Sequence, residues 1–339
     1  MRILVTGSAG LIGSWIAREL MTLQHDVLCI DNLSCGLESN IPLQKFALLD
    51  LESPEAYAKI REFAPEAVFH CAANAREGAS HFQPLAVTRA NTFITISTLE
   101  AAILGGSLKK FIYFSSIATY GGHTQPPFDE TLPVKPVDVY GAAKVFCETA
   151  IPILADIHNF KYTIFKPHNV YGPHQVYHDP YRNVVAIFLH RVLRGEPLYV
   201  YGSGEQRRAF SYVEDALPCY VRSLTEADGE IVNIGGRQPY TVNGLVDIVR
   251  RVTKKSVEVI HTPVRAHEVV DAWSTNDKSE LLLGYEDKTP LMNGVAVQYG
   301  WMERLGPRPW SVDDLPLINE KAPAPWLNFD AARRSPSGS

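Results

Sequence analysis

The glycine spacing near the amino terminus constrains this chain more than any other feature. Arg2 to Val5 read as a short buried strand, and Thr6-Gly7-Ser8-Ala9-Gly10-Leu11-Ile12-Gly13 follows at once. A helical pattern then begins, with Ile12, Trp15, Ile16, Leu20 and Leu23 on one face at three- and four-residue steps. Strand, Gly-x-x-Gly-x-x-Gly and helix make a phosphate-cradling unit. Gly7 permits the tight turn, Gly10 lets a pyrophosphate approach the backbone, and Gly13 lets the helix pack close to the strand, while the helix N-terminus adds oriented N–H donors. A glycine triplet carries little weight unless a second strand ends in an acid about 20 residues on. That strand is present as Asp26-Val27-Leu28-Cys29-Ile30, and Asp31 stands 18 positions after Gly13. A carboxylate there accepts both ribose hydroxyls of an adenosine and repels a 2′-phosphate, so NAD is expected rather than NADP.

The pattern continues. Phe46-Ala47-Leu48-Leu49-Asp50-Leu51 reads as a strand ending in an acid suited to an adenine edge. Ala67-Val68-Phe69-His70-Cys71-Ala72-Ala73 reads as another, its small residues letting a cofactor lie against the backbone. Helical segments near 53–63 and 85–105 separate the strands. This alternation predicts an α/β fold, a doubly wound parallel sheet of Rossmann-like type.

A second motif bears on chemistry. Lys110 to Phe114 form an apolar strand that ends in Ser115 and Ser116, and Tyr140-Gly141-Ala142-Ala143-Lys144 follows 24 residues after Ser116. Tyr140 and Lys144, four apart on a helix, share one face. A phenol titrates near ~10, and making it a base near neutrality requires about 3–4 kcal/mol. A neighbouring ammonium and a positive nicotinamide ring both act in that direction. With Ser116 hydrogen-bonding the same substrate oxygen, the set suits hydride removal from a secondary alcohol.

Composition excludes several other functions. The chain carries 32 Lys+Arg against 37 Asp+Glu, a net charge of −5 without a basic block, which disfavours nucleic acid and anionic membranes as partners. Its five cysteines are scattered without a C-x-x-C pair, against a disulfide framework and against a structural metal site. No apolar run approaches the ~18–20 residues of a membrane span. The first strand follows Met1 directly, leaving no room for a signal peptide, so a cytoplasmic protein is expected.

At this point the sequence resembles the extended short-chain dehydrogenase/reductases, specifically their nucleotide-sugar epimerases. The resemblance runs over roughly residues 1–310. It rests on the glycine loop, Asp31-Asn32-Leu33, Asp50-Leu51, His70 to Ala73, Asn91, Ser115-Ser116 with Tyr120-Gly121, and Tyr140 to Lys144. Further matches are Asn169-Val170-Tyr171-Gly172-Pro173, Gly202 to Asp215 and Arg265 to Glu268. It implies an NAD site formed by Gly7, Gly10, Leu11, Ile12, Gly13, Asp31, Asn32, Ser34, Gly36, Asp50, Leu51, Cys71, Ala72, Ala73, Asn91, Tyr140, Lys144 and His168, the last equally readable as a core histidine. It implies Ser116, Tyr140 and Lys144 as catalytic, with Ser116, Asn169, Asn183, Arg208 and Arg265 on the substrate, the two arginines at its diphosphate.

Within the family the turn after Ser116 discriminates. Related 4,6-dehydratases carry an Asp-Glu pair where Ile117 and Ala118 stand, decarboxylases a Glu there, and 3,5-epimerases a cysteine at the Ala118 position. None is present. The resemblance therefore implies 4-epimerisation by oxidation at C4, rotation of the 4-keto sugar and re-reduction, with UDP-glucose and UDP-galactose as the default pair. UDP-N-acetylhexosamines, UDP-uronic acids and GDP-sugars remain open, as do a reductase with net NAD(H) turnover and a non-catalytic dinucleotide sensor. The chain departs from the family pattern at Lys166, usually Arg, at Ala209, usually an acid, and at His267, usually Gly. Ala272 falls at the position that limits sugar size in related 4-epimerases, and a small residue there admits a bulkier C2 substituent.

The NAD domain is expected at 1–170 plus about 207–235, with a smaller nucleotide-sugar domain at about 171–206 and 236–310. From Pro316 to Ser339 the composition reads as a tail, mobile at its end. The helices near 85–105 and 139–157 carry apolar positions beyond those one sheet face covers, and the resemblance implies a homodimer through a four-helix bundle.

Overall fold

The structure, a computed structural model, describes residues 1–41, 45–265 and 267–334, with side chains described as far as Phe329. Its centre is a seven-stranded parallel sheet. In chain order the strands are β1 (Arg2–Thr6), β2 (Asp26–Asp31), β3 (Phe46–Leu48), β4 (Ala67–His70), β5 (Lys110–Phe114), β6 (Lys161–Pro167) and β7 (Glu230–Ile234). Spatially they run β7-β6-β5-β4-β1-β2-β3, so the order reverses at β1 and a crevice opens beyond the carboxyl ends of β1 and β4. Phe46 begins a strand shorter than the apolar run suggests, and Asp50 lies just past its end.

Period-two alternation fills both faces of this sheet. Ile3, Val5, Phe69 and Ile112 pack with Ile16 and Leu20 of the helix Leu11–Thr22 and with Cys219 and Tyr220 of the helix Val213–Arg222. Leu4, Val68, Phe111 and Tyr113 turn the other way, onto Ile60, Leu99, Cys147 and Ile151. A parallel sheet buried on both sides explains why its strands read as continuous apolar runs.

The predicted helix at 85–105 is interrupted. It comprises Pro84–Thr88, a wide turn at Arg89–Phe93, and Ile94–Leu104. Asn91 sits in the wide turn, where its Nδ2 donates to Val87 O at 2.8 Å and Asn74 O at 3.1 Å. A π-type turn leaves carbonyls that a buried amide can satisfy.

After β6 the chain builds a second apolar core from Val185, Phe188, Leu198, Val200, Leu245, Val249, Val295 and Met302. Short strands there pair Leu198–Tyr201 with Val259–Thr262, and set Arg207–Ala209 between Pro239–Thr241 and Asp271–Ala272.

The expected tail requires correction. Leu315, Ala322 and Trp326 are buried in a cluster with Ala79, Phe82 and Tyr181, and residues Ala324–Arg334 are helical. Proline-rich composition suggested an unpacked tail, but Trp326 brings a large apolar ring into contact with Phe82 and Tyr181; the end expected to be mobile is not among the residues that correct this reading. Ser335 to Ser339 lie outside the described residues.

The helix Leu11–Thr22 approaches β1 so closely that a Cβ at Gly13 would stand 2.2 Å from Gly7 O. Gly13→Ala is therefore expected to destabilise the fold by about 1–3 kcal/mol, as overpacking does. A thermal midpoint equal to that of the parent would contradict this packing.

Candidate active site

A cavity of about 550 Å³ lies along the carboxyl ends of the central strands. All residues assigned above to catalysis, cofactor or substrate line it except Gly36, Asn91 and His168. Gly36 packs on the glycine loop, where a Cβ would lie 2.8 Å from Ala9 Cβ. Asn91 commits its Nδ2 to the backbone bonds described above, while its buried Oδ1 has no partner in the protein. His168 is fully buried behind the cavity wall with neither ring nitrogen hydrogen-bonded to the protein, and burial pushes its pKa down to about 3.

The cradle fits a dinucleotide. Gly7 has φ +65°, and a Cβ there would fall 2.6 Å from Ala72 N, so only bare backbone can form this wall. Asp31 ends β2 facing the cavity, its carboxylate fixed by Ala9 N at 2.9 Å and Leu33 N at 2.7 Å. Burial raises the Asp31 pKa while those amides oppose the shift. Asn32 Nδ2 donates to Asp50 at 3.0 Å and so ties the ends of β2 and β3 together.

Ser116 follows β5 and caps the short turn after it, its Oγ accepting from Ala118 N at 3.1 Å. Tyr140 and Lys144 stand on the helix Val139–His158, whose capping Asp138 accepts from Gly141 N at 2.6 Å. A Cβ at Gly141 would meet Ala118 O at 2.7 Å, which is how the helix comes close enough to bring Tyr140 to Ser116. Lys144 Nζ donates to Phe114 O at 2.8 Å and lies 5.6 Å from the Tyr140 ring.

The electrostatics differ from the expectation that Lys144 lowers the phenol's pKa. Burial holds Tyr140 well above its ordinary value, and the carboxyls of Glu77 and Asp138 add to the rise; the Ser116 hydrogen bond and Arg182 oppose it. Burial also drives Lys144 down to about 8. In the protein alone desolvation outweighs the cation, and Tyr140 rests as a neutral phenol.

On the substrate side, Glu268 gathers both arginines. It accepts from Arg265 Nε at 2.6 Å and from Arg208 at 3.3 Å. Arg265 stacks on Tyr201, 4.8 Å from its ring centre. Arg208 spends further donors on Arg207 O and Val270 O, both at 2.8 Å. Asn169 Nδ2 donates to Ala209 O at 3.0 Å, and Asn183 caps the helix Val184–Arg194 by accepting from Val185 N at 2.9 Å. Lys166, standing where the family has arginine, is buried against Glu148 at 3.1 Å, which also accepts from Ser115.

The sequence reading passed over Glu77, Arg182 and the C-terminal Trp326. Glu77 opens to the cavity, where desolvation and Asp138 push its carboxyl up to about 7 against the pull of Arg265 and Arg208. Arg182 binds Asp179 at 2.9 Å and keeps one buried terminal nitrogen unpartnered on the cavity wall. Neither periodicity nor a shared motif marks these residues.

A glycine cradle, an acid closing β2, and serine, tyrosine and lysine in one cavity define an NAD-dependent enzyme of the short-chain dehydrogenase/reductase type. The chain belongs to the NAD dependent epimerase/dehydratase family, whose sequence profile matches residues 3–235. It is 32% identical over 305 residues to a putative UDP-glucose 4-epimerase of Methanocaldococcus jannaschii, covering 89% of this chain and 98% of that one. The UDP-glucose 4-epimerase of Thermotoga maritima, solved with UDP-glucose, superposes with a TM-score of 0.84 at 33% identity, over 90% of this chain and 99% of that one. The UDP-glucose 4-epimerase of Thermus thermophilus, in complex with NAD, gives 0.82 at 30% identity, over 89% and 98% of the two chains. Among the described residues no helix is long and apolar enough to cross a membrane, and no cluster of three His, Cys, Asp or Glu is placed to hold a metal.

The carboxyl at Glu77 generates a pH dependence. Its raised pKa, about 7, means that charge develops on Glu77 as the solution passes from mildly acid to neutral. That charge would attract Arg265 and Arg208 and repel an anionic ligand, an effect weakened by the side chain's exposure to solvent. With UDP-glucose as probe, whose diphosphate diester stays fully charged across this range, affinity is expected to weaken through that pH by roughly fivefold, the effect of about 1 kcal/mol. Glu77→Gln should flatten the profile in calorimetric titrations, and an unchanged slope in that variant would count against the assignment.

Proposed function

We propose that the protein is a nucleotide-sugar 4-epimerase, with UDP-glucose and UDP-galactose as its default substrate pair. The observation that carries this reading is the placement of Ser116, Tyr140 and Lys144 in the dinucleotide cavity while Ile117 and Ala118 follow Ser116. Elimination and decarboxylation chemistry in the family places an acid on that turn, and here the turn is apolar. Val184, Ile187, Phe188 and Tyr199 line an apolar part of the same cavity suited to a nucleobase.

The loop from Gly7 to Gly13 and Asp31 would hold the cofactor. When bound, NAD supplies a reversible hydride acceptor and, in its oxidised form, a positive charge. Tyr140 takes the proton of the 4-hydroxyl and later returns it. Ser116 hydrogen-bonds the same oxygen, and Lys144, fixed by Phe114 O, keeps its ammonium beside the phenol. Arg265 and Arg208 pin the diphosphate as a pivot. An adjoining cavity of about 280 Å³, lined by Ile117, Ala118, Ala272 and Trp326, gives the keto sugar room to turn. The small Ala272 there supports N-acetylated sugars as further substrates.

A homodimer is part of this proposal. Leu85, Phe93, Phe146, Ile153 and Ile157 are all at least half exposed on the helices that cover one sheet face, an apolar surface suited to a second copy. The five unpaired cysteines support a reducing, cytoplasmic compartment.

Three measurements test these readings. Incubation with UDP-, GDP- and dTDP-sugars is expected to yield 4-epimers with no net change in NADH absorbance, whereas a reductase consumes NADH stoichiometrically. Tyr140→Phe should lower kcat by about 10²–10⁴-fold with NAD still bound, and full activity in that variant would defeat the mechanism. Light scattering should give twice the chain mass, reduced to one by Ile153→Asp; a monomeric parent would refute the dimer.

A further inference from the structure

The C-terminal segment reaches the sugar end of the site. The motifs shared with the family end before residue 310, and the relatives above are matched over 98–99% of their own length but only 89–90% of this chain. About a tenth of the chain has no counterpart in them. Beyond residue 310 the chain is held firmly. Ser311 N donates to His178 O at 2.7 Å and Leu317 N to Phe82 O at 3.0 Å. Asp313 pairs with Arg76, a buried guanidinium that also binds the buried Asp179 at 2.7 Å. These contacts deliver Trp326, 3% exposed, edge-on against Tyr181 at 5.0 Å and Phe82 at 6.3 Å.

Trp326 lines both the main cavity and the adjoining space that contains Ala272. A Cβ at Gly78 would lie 3.1 Å from the Trp326 ring and 3.4 Å from an Arg265 terminal nitrogen, so the absence of a side chain at Gly78 lets the indole and the phosphate-side guanidinium meet around one point. The position that limits sugar size elsewhere in the family is here a methyl group, and an indole from a different part of the chain occupies the same compartment. We propose that Trp326 is a specificity-determining residue, its ring forming the wall that limits the substituents of the bound sugar. This rests on the nucleotide-sugar reading of the cavity.

The test compares Trp326→Ala and Trp326→Phe in the full chain with the parent, using UDP-glucose and UDP-N-acetylglucosamine. The ratio of kcat/KM for the N-acetylated to the plain sugar should rise at least tenfold in Trp326→Ala, within the roughly 10–200-fold that one small apolar difference in a pocket commands. Trp326→Phe, which keeps an aromatic ring in the cluster, should shift it less in the same direction, and the affinity for UDP alone should be unchanged. A purely structural role would depress both sugars in proportion, and an unchanged ratio in variants with the parent's thermal midpoint overturns the proposal. If Trp326→Ala does not fold, the Trp326→Phe ratio decides. If the parent epimerises neither sugar, the functional reading fails by itself, and the ratio of the two calorimetric dissociation constants decides on Trp326 by the same tenfold criterion.

Discussion

Three stretches of backbone meet at the Gly7 turn, and the rest of the site is arranged around that meeting. The Gly7 α-carbon lies against Cys71 and Ala72 at the end of β4, while Gly13 in the first helical turn lies against the Gly7 carbonyl. Neither approach tolerates a methyl group. The turn is thereby clamped between a strand and a helix at the reversal of strand order, with Gly7, Gly10 and the first helical residues Leu11 to Gly13 lining the cavity. The same closeness brings the carboxyl ends of β2, β4 and β5 within reach of one ligand, so Asp31, Ala72 and Ser116 share a cavity although they are far apart in the chain.

Charge in that cavity is governed by burial before it is governed by pairing. Lys144 stands one helical turn from Tyr140, yet its ammonium is itself desolvated and committed to Phe114 O, so its influence on the phenol is weaker than the loss of water around both. Glu77 and Asp138 push the same way. The protein alone thus holds the phenol proton firmly. Bound beside Tyr140, an oxidised nicotinamide would supply the positive charge that favours the phenolate. In the proposed mechanism the phenol would then act as a base only beside the oxidised cofactor, which suits an enzyme that must complete both halves of a redox cycle before releasing its substrate.

The elements that could be read from sequence are those whose requirements are local. A glycine that must be bare, an acid that must end a strand, and two side chains one turn apart are each specified within a few residues, which is why Gly7, Gly13, Asp31, Tyr140 and Lys144 stand out. Five of the seven parallel strands, those beginning at Arg2, Asp26, Phe46, Ala67 and Lys110, were legible for a related reason, since strands buried in a sheet leave apolar runs, whereas Lys161–Pro167, which opens and closes on polar or helix-breaking residues, gave no such run. Trp326 was not legible. Its partners Phe82 and Tyr181 come from distant segments, and proline-rich composition around it resembles that of a free end. Glu77 was equally hidden, because an acid just beyond a strand acquires meaning only when Asp138 and two arginines from other elements surround it. His168, adjacent to the Asn169 motif, was readable either as a cofactor contact or as a core residue, because sequence position alone does not say how deeply a side chain is buried.

These two classes of residue divide the site by rigidity. The cofactor end is built from backbone, where any side chain would clash, and such a surface has one shape. The end proposed to take the sugar is built from side chains: Arg265 held by Glu268, Ala272, and the indole of Trp326 brought in by the C-terminal segment. A pivoting mechanism needs this division, because the nucleotide must be gripped while the keto sugar turns. It also decides where variation can be tolerated. A side chain at Gly7 or Gly13 would clash with the cradle's own backbone, whereas on the proposed reading reshaping the other end would change which ring can turn and spare the hydride chemistry. On the reading proposed above, the C-terminal segment lies where an added element would alter substrate choice without disturbing Ser116, Tyr140 or Lys144.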